Sequence, residues 1–426
     1  MIAIIGLGTG GLYAARWIAM HRRNEKITII EKRDYETYSP CSIPMVVEGK
    51  IEPEDIVHPF PKSRNVEILL AHEAVEIDVN IKKIKAKNLK TGEIKEINYD
   101  KLIYAPGARP WVPPINGVDK EGVFTVRTVE DAVAIREYAN NAKKVLVVGA
   151  GAIGVEMAYA LSKRNLEVTV VEMMEHAFPT AIDRDMAKYV DEWLNKEGIN
   201  TIYGAKVEEI IGAEKVEGTV INGEKYEFDM IIMSTGVRPE SGLLKDKVDV
   251  DERGFILVNE RMRTSLHDVY AIGDCVRTPY GVIQLATTAL NQAIVAAINA
   301  TGGSAVFRKP NGAFVSSFGG YEVASVGVHG KITGRGWSRL NPYSEEKIVM
   351  KVFVEEDGAI VGAQAVGKGA SSRIDIVSAL IRTNGKIWDL AYMEKSYCPE
   401  VCELYDVIKI AAENAMRRMK IEKYEV

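Results

Sequence analysis

Apolar residues along this chain gather in short unbroken runs, several of which stop at a glycine. Ile2–Ile5 leads into Gly6-Leu7-Gly8-Thr9-Gly10-Gly11, and an alanine-rich stretch over 12–20 follows. A short apolar run bounded by turn signals predicts a strand buried on both faces, as in parallel sheets. The alanine-rich stretch predicts a helix. A further strand is predicted over 26–30, ending at Glu31. The succession returns later in the chain. Lys144–Val148 leads into Gly149-Ala150-Gly151-Ala152-Ile153-Gly154, then a helix to about Lys163, then a strand over 166–171 ending at Glu172. Self-similarity of this kind marks a duplicated unit.

Two more runs extend the duplication. Lys101-Leu102-Ile103-Tyr104-Ala105-Pro106-Gly107 and Met230-Ile231-Ile232-Met233-Ser234-Thr235-Gly236 each read as a buried strand closing on a small residue and a glycine. Each falls where a dinucleotide-binding domain returns its chain toward the cofactor. Thr301-Gly302-Gly303 reads as a linker. Beyond it glycine and β-branched residues become denser, with strands predicted over 323–328, 348–354 and Ile360–Val366 and a helical tail over 403–420. The chain, 426 residues long, exceeds one ordinary core and predicts two or three domains.

Both glycine clusters are G-x-G-x-x-G between strand and helix, with an acid about 20 residues beyond the third glycine. The first glycine allows the tight turn, the second lets the backbone approach a pyrophosphate, and the third permits close packing of helix on strand. The helix N-terminus then offers unpaired N–H groups to the phosphates. Glu31 and Glu172 can accept hydrogen bonds from a ribose diol. Such an acid repels a 2′-phosphate, so NADH is favoured and NADPH is the less favoured alternative. One such motif would be weak; two in full context predict two bound dinucleotides.

Composition narrows the class. An apolar fraction of 47%, a charged fraction of 27% and a net charge of −5 are those of a globular protein with no reason to bind nucleic acid. No apolar stretch reaches the roughly 18 to 20 residues needed to span a bilayer, and the N-terminus reads as a strand rather than a signal peptide. Cytoplasm, without membrane association, is the expectation. The four cysteines, Cys41, Cys275, Cys398 and Cys402, are scattered, which argues against a disulfide framework and against structural zinc. No metal ligand set is expected. Cys398 and Cys402 lie close to one helical turn apart, and their plain reading is two packed thiols.

Cys41 stands out. It lies ten residues after Glu31, in Tyr38-Ser39-Pro40-Cys41-Ser42-Ile43-Pro44. Ser-Pro is a helix-start signature, and a cysteine there would have its thiolate stabilised by free N–H groups and the helix dipole. Pro44 shifts the start toward Ser42 or limits the helix, which leaves the cap open between the two serines. The plain alternative is a small buried thiol.

These motifs together resemble the two-dinucleotide flavoprotein disulfide reductases, most closely the single-cysteine branch of the pyridine nucleotide-disulfide oxidoreductases. That branch contains NADH oxidases, coenzyme A–disulfide reductases and NADH-dependent persulfide or polysulfide reductases. The resemblance covers essentially the whole chain. It includes Val269-Tyr270-Ala271-Ile272-Gly273-Asp274, Arg263-Thr264-Ser265 and Gly236-Val237-Arg238-Pro239. It implies an α/β fold with two Rossmann-like dinucleotide-binding domains, the NAD(H) domain (110–241) inserted into an FAD domain (1–109 and 242–306). A C-terminal α+β dimerisation domain (307–426) follows and makes a homodimer. FAD would be held by Gly6, Gly8, Gly11, Glu31, Lys32, Val75, Ala105, Gly107, Asp274 and Ala286, with Asp274 on the ribityl chain. NADH would be held by Gly149, Gly151, Ile153, Gly154, Glu172 and Gly236, and Glu156 would support the nicotinamide.

The resemblance makes Cys41 the redox cysteine. The dithiol pattern Cys-x-x-x-x-Cys is missing, since no cysteine follows Cys41 before Cys275. Oxidised Cys41 would therefore be bonded to a small thiol, a sulfane sulfur or an oxygen. Tyr397-Cys398-Pro399-Glu400 resembles the branch's Tyr-x-Pro-Pro, which implies that Tyr397 reaches in from the second subunit and protonates the departing sulfur. Cys398 is a candidate for sulfur exchange there. The chain departs from the branch at Ala152, where relatives often have Tyr, at Ser42, where many have Gly, and in a shorter 51–66. The implied function is electron transfer from NADH through FAD to Cys41 and on to a disulfide, persulfide or polysulfide, with coenzyme A disulfide the leading candidate. Competing readings are an NADH oxidase cycling Cys41 through a sulfenic acid, electron transfer to an iron–sulfur protein, and an FAD- and NADH-binding redox sensor.

Overall fold

A computed structural model describes residues 1–419. Two five-stranded parallel sheets share the order of four strands and differ in the fifth, which comes last in chain order in the first and first in the second. In the first, Val269–Ala271, Lys101–Tyr104, Ile2–Ile5, Ile27–Ile30 and Val66–Leu69 lie side by side. In the second the order is Val123–Thr125, Met230–Met233, Lys144–Val148, Glu167–Glu172 and Asn200–Tyr203. The glycine-ended strand is central in both, between the acid-ended strand and the strand closing on a small residue. Each sheet also carries a three-stranded antiparallel annex, His72–Asp78 with Lys83–Asn88 and Ile94–Asn98, or Val207–Ile211 with Gly218–Ile221 and Glu224–Glu227. The duplication read from the sequence is a duplication of fold.

The chain leaves the first sheet along Ala108–Pro110 and returns along Val237–Pro239, and these two segments pair antiparallel, Arg109 opposite Arg238. The return path ends at Val269–Ala271, which completes the first sheet beside Lys101–Tyr104. Helix Ala286–Ala300 then packs on helix Thr9–His21. A third sheet is antiparallel, in the order Phe314–Phe318, Tyr321–Gly327, Ile360–Val366, Lys347–Val354 and Ile332–Arg339. Helices Ala370–Arg382 and Val407–Met419 cover it.

Local details differ from the sequence reading. The first helix starts at Thr9 rather than near residue 12, because the glycine loop itself turns into it, with Gly8 extended at its N-cap. The tail helix starts at Val407 rather than 403. Asp406 caps it, accepting from the Ile408 N–H at 3.1 Å, while its carboxylate also pairs with Arg373 and Lys395 at 2.7 and 2.6 Å. Burial works to raise the Asp406 pKa, but these two cations hold it low. Lys420, at the end of the expected tail, lies outside the described residues. No helix among the described residues is long and apolar enough to cross a membrane.

The core places the cysteine segment. Pro40–Ser42 forms one tight 3₁₀ turn and Ile43–Glu48 a short α-helix closed by Gly49 at φ +84°. A six-residue helix has no stability of its own. It persists because Ile43, Val46 and Val47 are buried with Val155, Ala158 and Leu161 of the second glycine-loop helix. Each such side chain contributes about 1.5–3 kcal/mol. The same cluster takes in Phe178 of the inserted domain and Phe318 and Val323 of the third sheet. One core therefore joins the cysteine helix, the inserted domain and the C-terminal domain.

Candidate active site

Both loops exclude a side chain at the first and third glycines of the motif. A Cβ on Gly6 (φ +89°) would collide with the Ala105 carbonyl oxygen, and one on Gly149 (φ +105°) with that of Ser234. Gly11 and Gly154 pack with equal closeness on the carbonyls of Gly6 and Gly149. At the second glycines, Gly8 and Gly151, a Cβ would meet nothing within 4 Å. That open space at a helix N-terminus fits a diphosphate in both copies.

The terminal acids behave alike in one respect. Glu31 accepts from the Leu7 and Arg33 N–H groups at 2.6 and 3.0 Å, and Glu172 from those of Ala150 and Met174 at 2.7 and 2.8 Å. Each carboxylate thus ties the residue between the first two glycines to the chain two residues past itself. Glu31 alone has a guanidinium partner, with Arg33 Nε and Nη2 at 2.8 and 2.7 Å. Arg33 in turn lies over the Tyr38 ring, 4.6 Å from its centroid. Of the other residues expected around the first loop, Lys32 is exposed beside Glu31, Ala105 is buried, and Ala286 opens the helix Ala286–Ala300. Val75 is exposed on the annex sheet, at a register shift between Ala74 and Glu76.

Asp274 sits in the 3₁₀ turn Gly273–Cys275, just past strand Val269–Ala271. Gln292, buried, fixes the turn by accepting the Gly273 N–H at 2.7 Å. Burial raises the Asp274 pKa, opposed by Arg127, whose Nη1 stands 3.9 Å away. A half-buried acid with so distant a counter-ion fits a polyol neighbour. Gly107, at φ +78°, lies against Arg127 Nη2. Arg127 was not singled out in the sequence. It lies in the loop before helix Val129–Tyr138, and only the fold brings that loop to the cysteine segment, where the Tyr38 hydroxyl donates to its carbonyl at 2.7 Å.

Cys41 is exposed and shares its surroundings with groups from both nucleotide-binding units. Burial by the neighbouring atoms pushes its thiol pKa up, Glu156 and Asp274 add to this, and Arg127 opposes it. This corrects the expectation of a thiolate favoured by the helix N-terminus. The α-helix begins only at Ile43 with Ser42 as its cap, so Cys41 lies in the turn before it, and the helix is too short for a strong dipole. Glu156 is no surface residue either. Its carboxylate accepts from Ser316 Oγ at 2.6 Å, and burial pushes its pKa up to about 7 despite the Ser316 and Ser317 hydrogen bonds.

A cavity of about 720 Å³ opens beside the second loop. Gly151, Ala152, Ile153 and Gly236 line it from the inserted domain, and Phe314 and His329 from the C-terminal domain. The two domains are stitched at its edge by Asp183, which accepts from Lys351 Nζ at 2.7 Å and Gln364 Nε2 at 3.1 Å and meets His329 Nε2 at 2.7 Å. Burial raises the Asp183 pKa, but these bonds outweigh it and bring it to about 2.

The remaining candidates stand apart. Tyr397 is 47% exposed, on a C-terminal loop anchored by the Lys395–Asp406 pair, and is not gathered with Cys41 by any contact described within the chain. Cys398 beside it is exposed, whereas Cys402 is buried and points its thiol at the Ser396 carbonyl, 3.7 Å away. Only one of these two thiols is packed, a correction to the expectation of both. Cys275 is fully buried, which pushes its pKa up to about 12, so its thiol stays protonated.

A fold of two dinucleotide cradles with one open cysteine between them defines a flavin- and pyridine-nucleotide-dependent oxidoreductase. The chain belongs to the pyridine nucleotide-disulphide oxidoreductase family, whose sequence model matches residues 1–293, with the family's dimerisation domain matched over 328–405. It is an FAD-dependent enzyme of that family. It is 39% identical to an NADH oxidase of Methanocaldococcus jannaschii, over 98% of both chains. It is 30% identical to a CoA-dependent NAD(P)H sulfur oxidoreductase of Pyrococcus furiosus, over 96% of this chain and 98% of the relative. Among solved structures, the NAD-dependent persulfide reductase of A. fulgidus superposes with a TM-score of 0.91 at 32% identity, covering 100% of this chain and 85% of the other.

Proposed function

We propose that the chain reduces a small disulfide, persulfide or polysulfide at Cys41 with electrons from NADH, coenzyme A disulfide being the leading substrate. The observation that carries this reading is one exposed cysteine in the turn before a short helix that packs on the second glycine-loop helix, where the two nucleotide-binding units meet. Within the chain no second thiol stands beside it, since Cys275 is buried and Cys398 and Cys402 belong to the C-terminal loop. In this reading FAD lies along Gly6, Gly8, Gly11, Glu31, Lys32, Val75, Ala105, Gly107, Asp274 and Ala286. NADH lies along Gly149, Gly151, Ile153, Gly154, Glu172 and Gly236. A flavin held there would supply the hydride acceptor for NADH and the electron pair for sulfur.

The rest falls to the chain's own groups. The Cys41 thiolate attacks a sulfur of the acceptor, the S–S bond breaks, and a mixed disulfide forms as the first thiol leaves. Two electrons reopen that bond, free the second thiol and restore Cys41. With two protons taken up by the thiols, NADH, H⁺ and RSSR give NAD⁺ and two RSH. The protein acts as a cytoplasmic homodimer, divided as 1–109 with 242–306, 110–241 and 307–426. Tyr397 supplies a proton across the dimer, a role supported by its exposure alongside Val401, Leu404 and Tyr405 on one loop.

A second reading, NADH oxidase, draws support from the M. jannaschii relative and from Ala152, whose small side chain leaves the NADH-side cavity open. Anaerobic NADH consumption with coenzyme A disulfide or polysulfide separates the two. Cys41→Ser is expected to lower sulfur-dependent turnover by about a thousandfold or more. Turnover of wild type only in air, changing from water to peroxide as product in the variant, would transfer the assignment to the oxidase.

A further inference from the structure

One wall of the cavity beside the second glycine loop is held in place from the C-terminal domain. Phe178, Pro179, Thr180, Ala181, Ile182 and Asp183 follow one another along this wall, in the cavity that Gly151 and Ile153 also line. The segment starts at the glycine loop, where the Phe178 N–H donates to the Ala150 carbonyl at 2.8 Å. Phe178 takes φ +52°, a left-handed conformation that bulky residues rarely adopt and that persists only where packing enforces it. That packing comes from strand Phe314–Phe318. The buried Phe178 ring stacks on Phe318 with centroids 5.9 Å apart and tilts against Phe314 at 6.3 Å.

The other end of the segment is tied to the same sheet. Gln364 accepts from the Asp183 N–H at 3.0 Å and donates to its carboxylate at 3.1 Å. Lys351, its side chain only 9% exposed, donates to Asp183 at 2.7 Å and also to Asp185. Arg335 pairs with Asp185 at 2.8 Å, and His329 meets Asp183 at 2.7 Å. Lys351 is thus a buried cation of the C-terminal domain whose two carboxylate partners belong to the inserted domain. A desolvated, multiply bonded pair of this kind admits few alternative geometries.

We propose that Lys351, with Gln364, is a positioning group for NADH. Acting through Asp183, it holds segment 178–183 in the shape that closes on the nucleotide, so that two domains set the affinity jointly. This rests on NADH lying along the second glycine loop, as in the function proposed above. Lys351 need not touch the nucleotide, since residues 179–182 supply the surface that meets it. Without the tie the segment keeps only its Phe178 anchor, and binding must then order it at a cost in affinity.

Anaerobic stopped-flow reduction of the full-length, FAD-loaded protein by NADH separates affinity from hydride transfer through its concentration dependence. Lys351→Met, which keeps the stem and loses the charge, is expected to raise the half-saturating NADH concentration about tenfold. FAD content, the limiting rate and the alkylation of Cys41 by iodoacetamide, read in a Cys398→Ser background, should stay close to the parent's. Lys351→Arg should recover most of the loss. Gln364→Met keeps the ion pair and removes both bonds to Asp183, so it should move NADH the same way by less, even where Lys351→Met fails to fold. Unchanged half-saturation overturns the proposal. So does an equal change in FAD content or Cys41 alkylation, which would mark a brace for the whole fold. Ile153→Trp fills the cavity beside the glycine loop and checks the nucleotide's place. NADH binding untouched by Ile153→Trp would sink the site reading together with the proposal. Weakening there, with none in the Lys351 and Gln364 variants, would sink the proposal alone.

Discussion

The two nucleotide-binding units have one skeleton and two temperaments. The order of four strands, the glycine contacts and the acid that grips its own loop repeat from one to the other. The difference lies around the acids. Glu31 is 3% exposed and locked by Arg33, which itself lies against Tyr38. Where Arg33 stands in the first unit, the second has Met174, 54% exposed, beside Met173 at 70%. A caged acid suits a cofactor that stays, whereas an open one suits a nucleotide that must come and go in every turnover. Duplication conserved the cradle and left the two acids in different surroundings.

The largest effect that could break this comparison comes from the first unit. Glu31→Ala would take the carboxylate partner from the half-buried Arg33 and leave two N–H groups unpaired, which costs about 1–3 kcal/mol. Thermal melting should fall by several degrees, and FAD should be lost on gel filtration. Glu172→Ala strands no cation. It is expected to leave melting and FAD content close to wild type while raising KM for NADH about tenfold and narrowing the preference over NADPH. Equal FAD loss in both variants would abolish the distinction between a resident and a passing nucleotide.

A smaller effect sharpens the contrast between the two carboxylates that join the inserted domain to the C-terminal domain. Asp183 is held down to about 2 and Glu156 pushed up to about 7. A folded-state pKa raised above the ordinary glutamate value of 4.5 means that the folded protein binds the extra proton. Stability from this group is therefore lost as pH rises from there through about 7. Glu156→Gln should match wild type in melting temperature at pH 5 and exceed it by roughly a few degrees at pH 8. Equal melting at pH 8 would mean that Glu156 is solvated like any surface acid. Asp183 has the opposite sign. Its contribution is complete above the ordinary aspartate value of 3.8 and disappears as pH falls through about 2.

Much of this was legible along the chain because it is local. Strand, glycine loop, helix and acid follow one another within a few dozen residues, so periodicity and glycine spacing sufficed to place both cradles. The Arg33 cage was within reach too, as a cation two residues past the acid, although no turn rule demands it. Arg127 and Ser316 carried no such signal. Each becomes part of the site only when a distant segment is laid against the cysteine helix, and an arginine before a capped helix or a serine in a strand is ordinary in sequence. The direction of the Cys41 shift was misjudged for the same reason. Ser39-Pro40 announced a helix start, but only the fold shows that the α-helix begins at Ile43 and that it packs on the helix carrying Glu156.

The antiparallel pairing of Ala108–Pro110 with Val237–Pro239 has a further consequence, for the order in which the molecule is made. The inserted unit is continuous in sequence between these two segments and can assemble as soon as it leaves the ribosome. The first sheet cannot, because its edge strand Val269–Ala271 is synthesised long after the neighbour Lys101–Tyr104 with which it pairs. The second-born unit should therefore fold first, and limited proteolysis of chains stalled far enough beyond Pro239 for that segment to have cleared the ribosome should find it protected while the N-terminal segment is still cut.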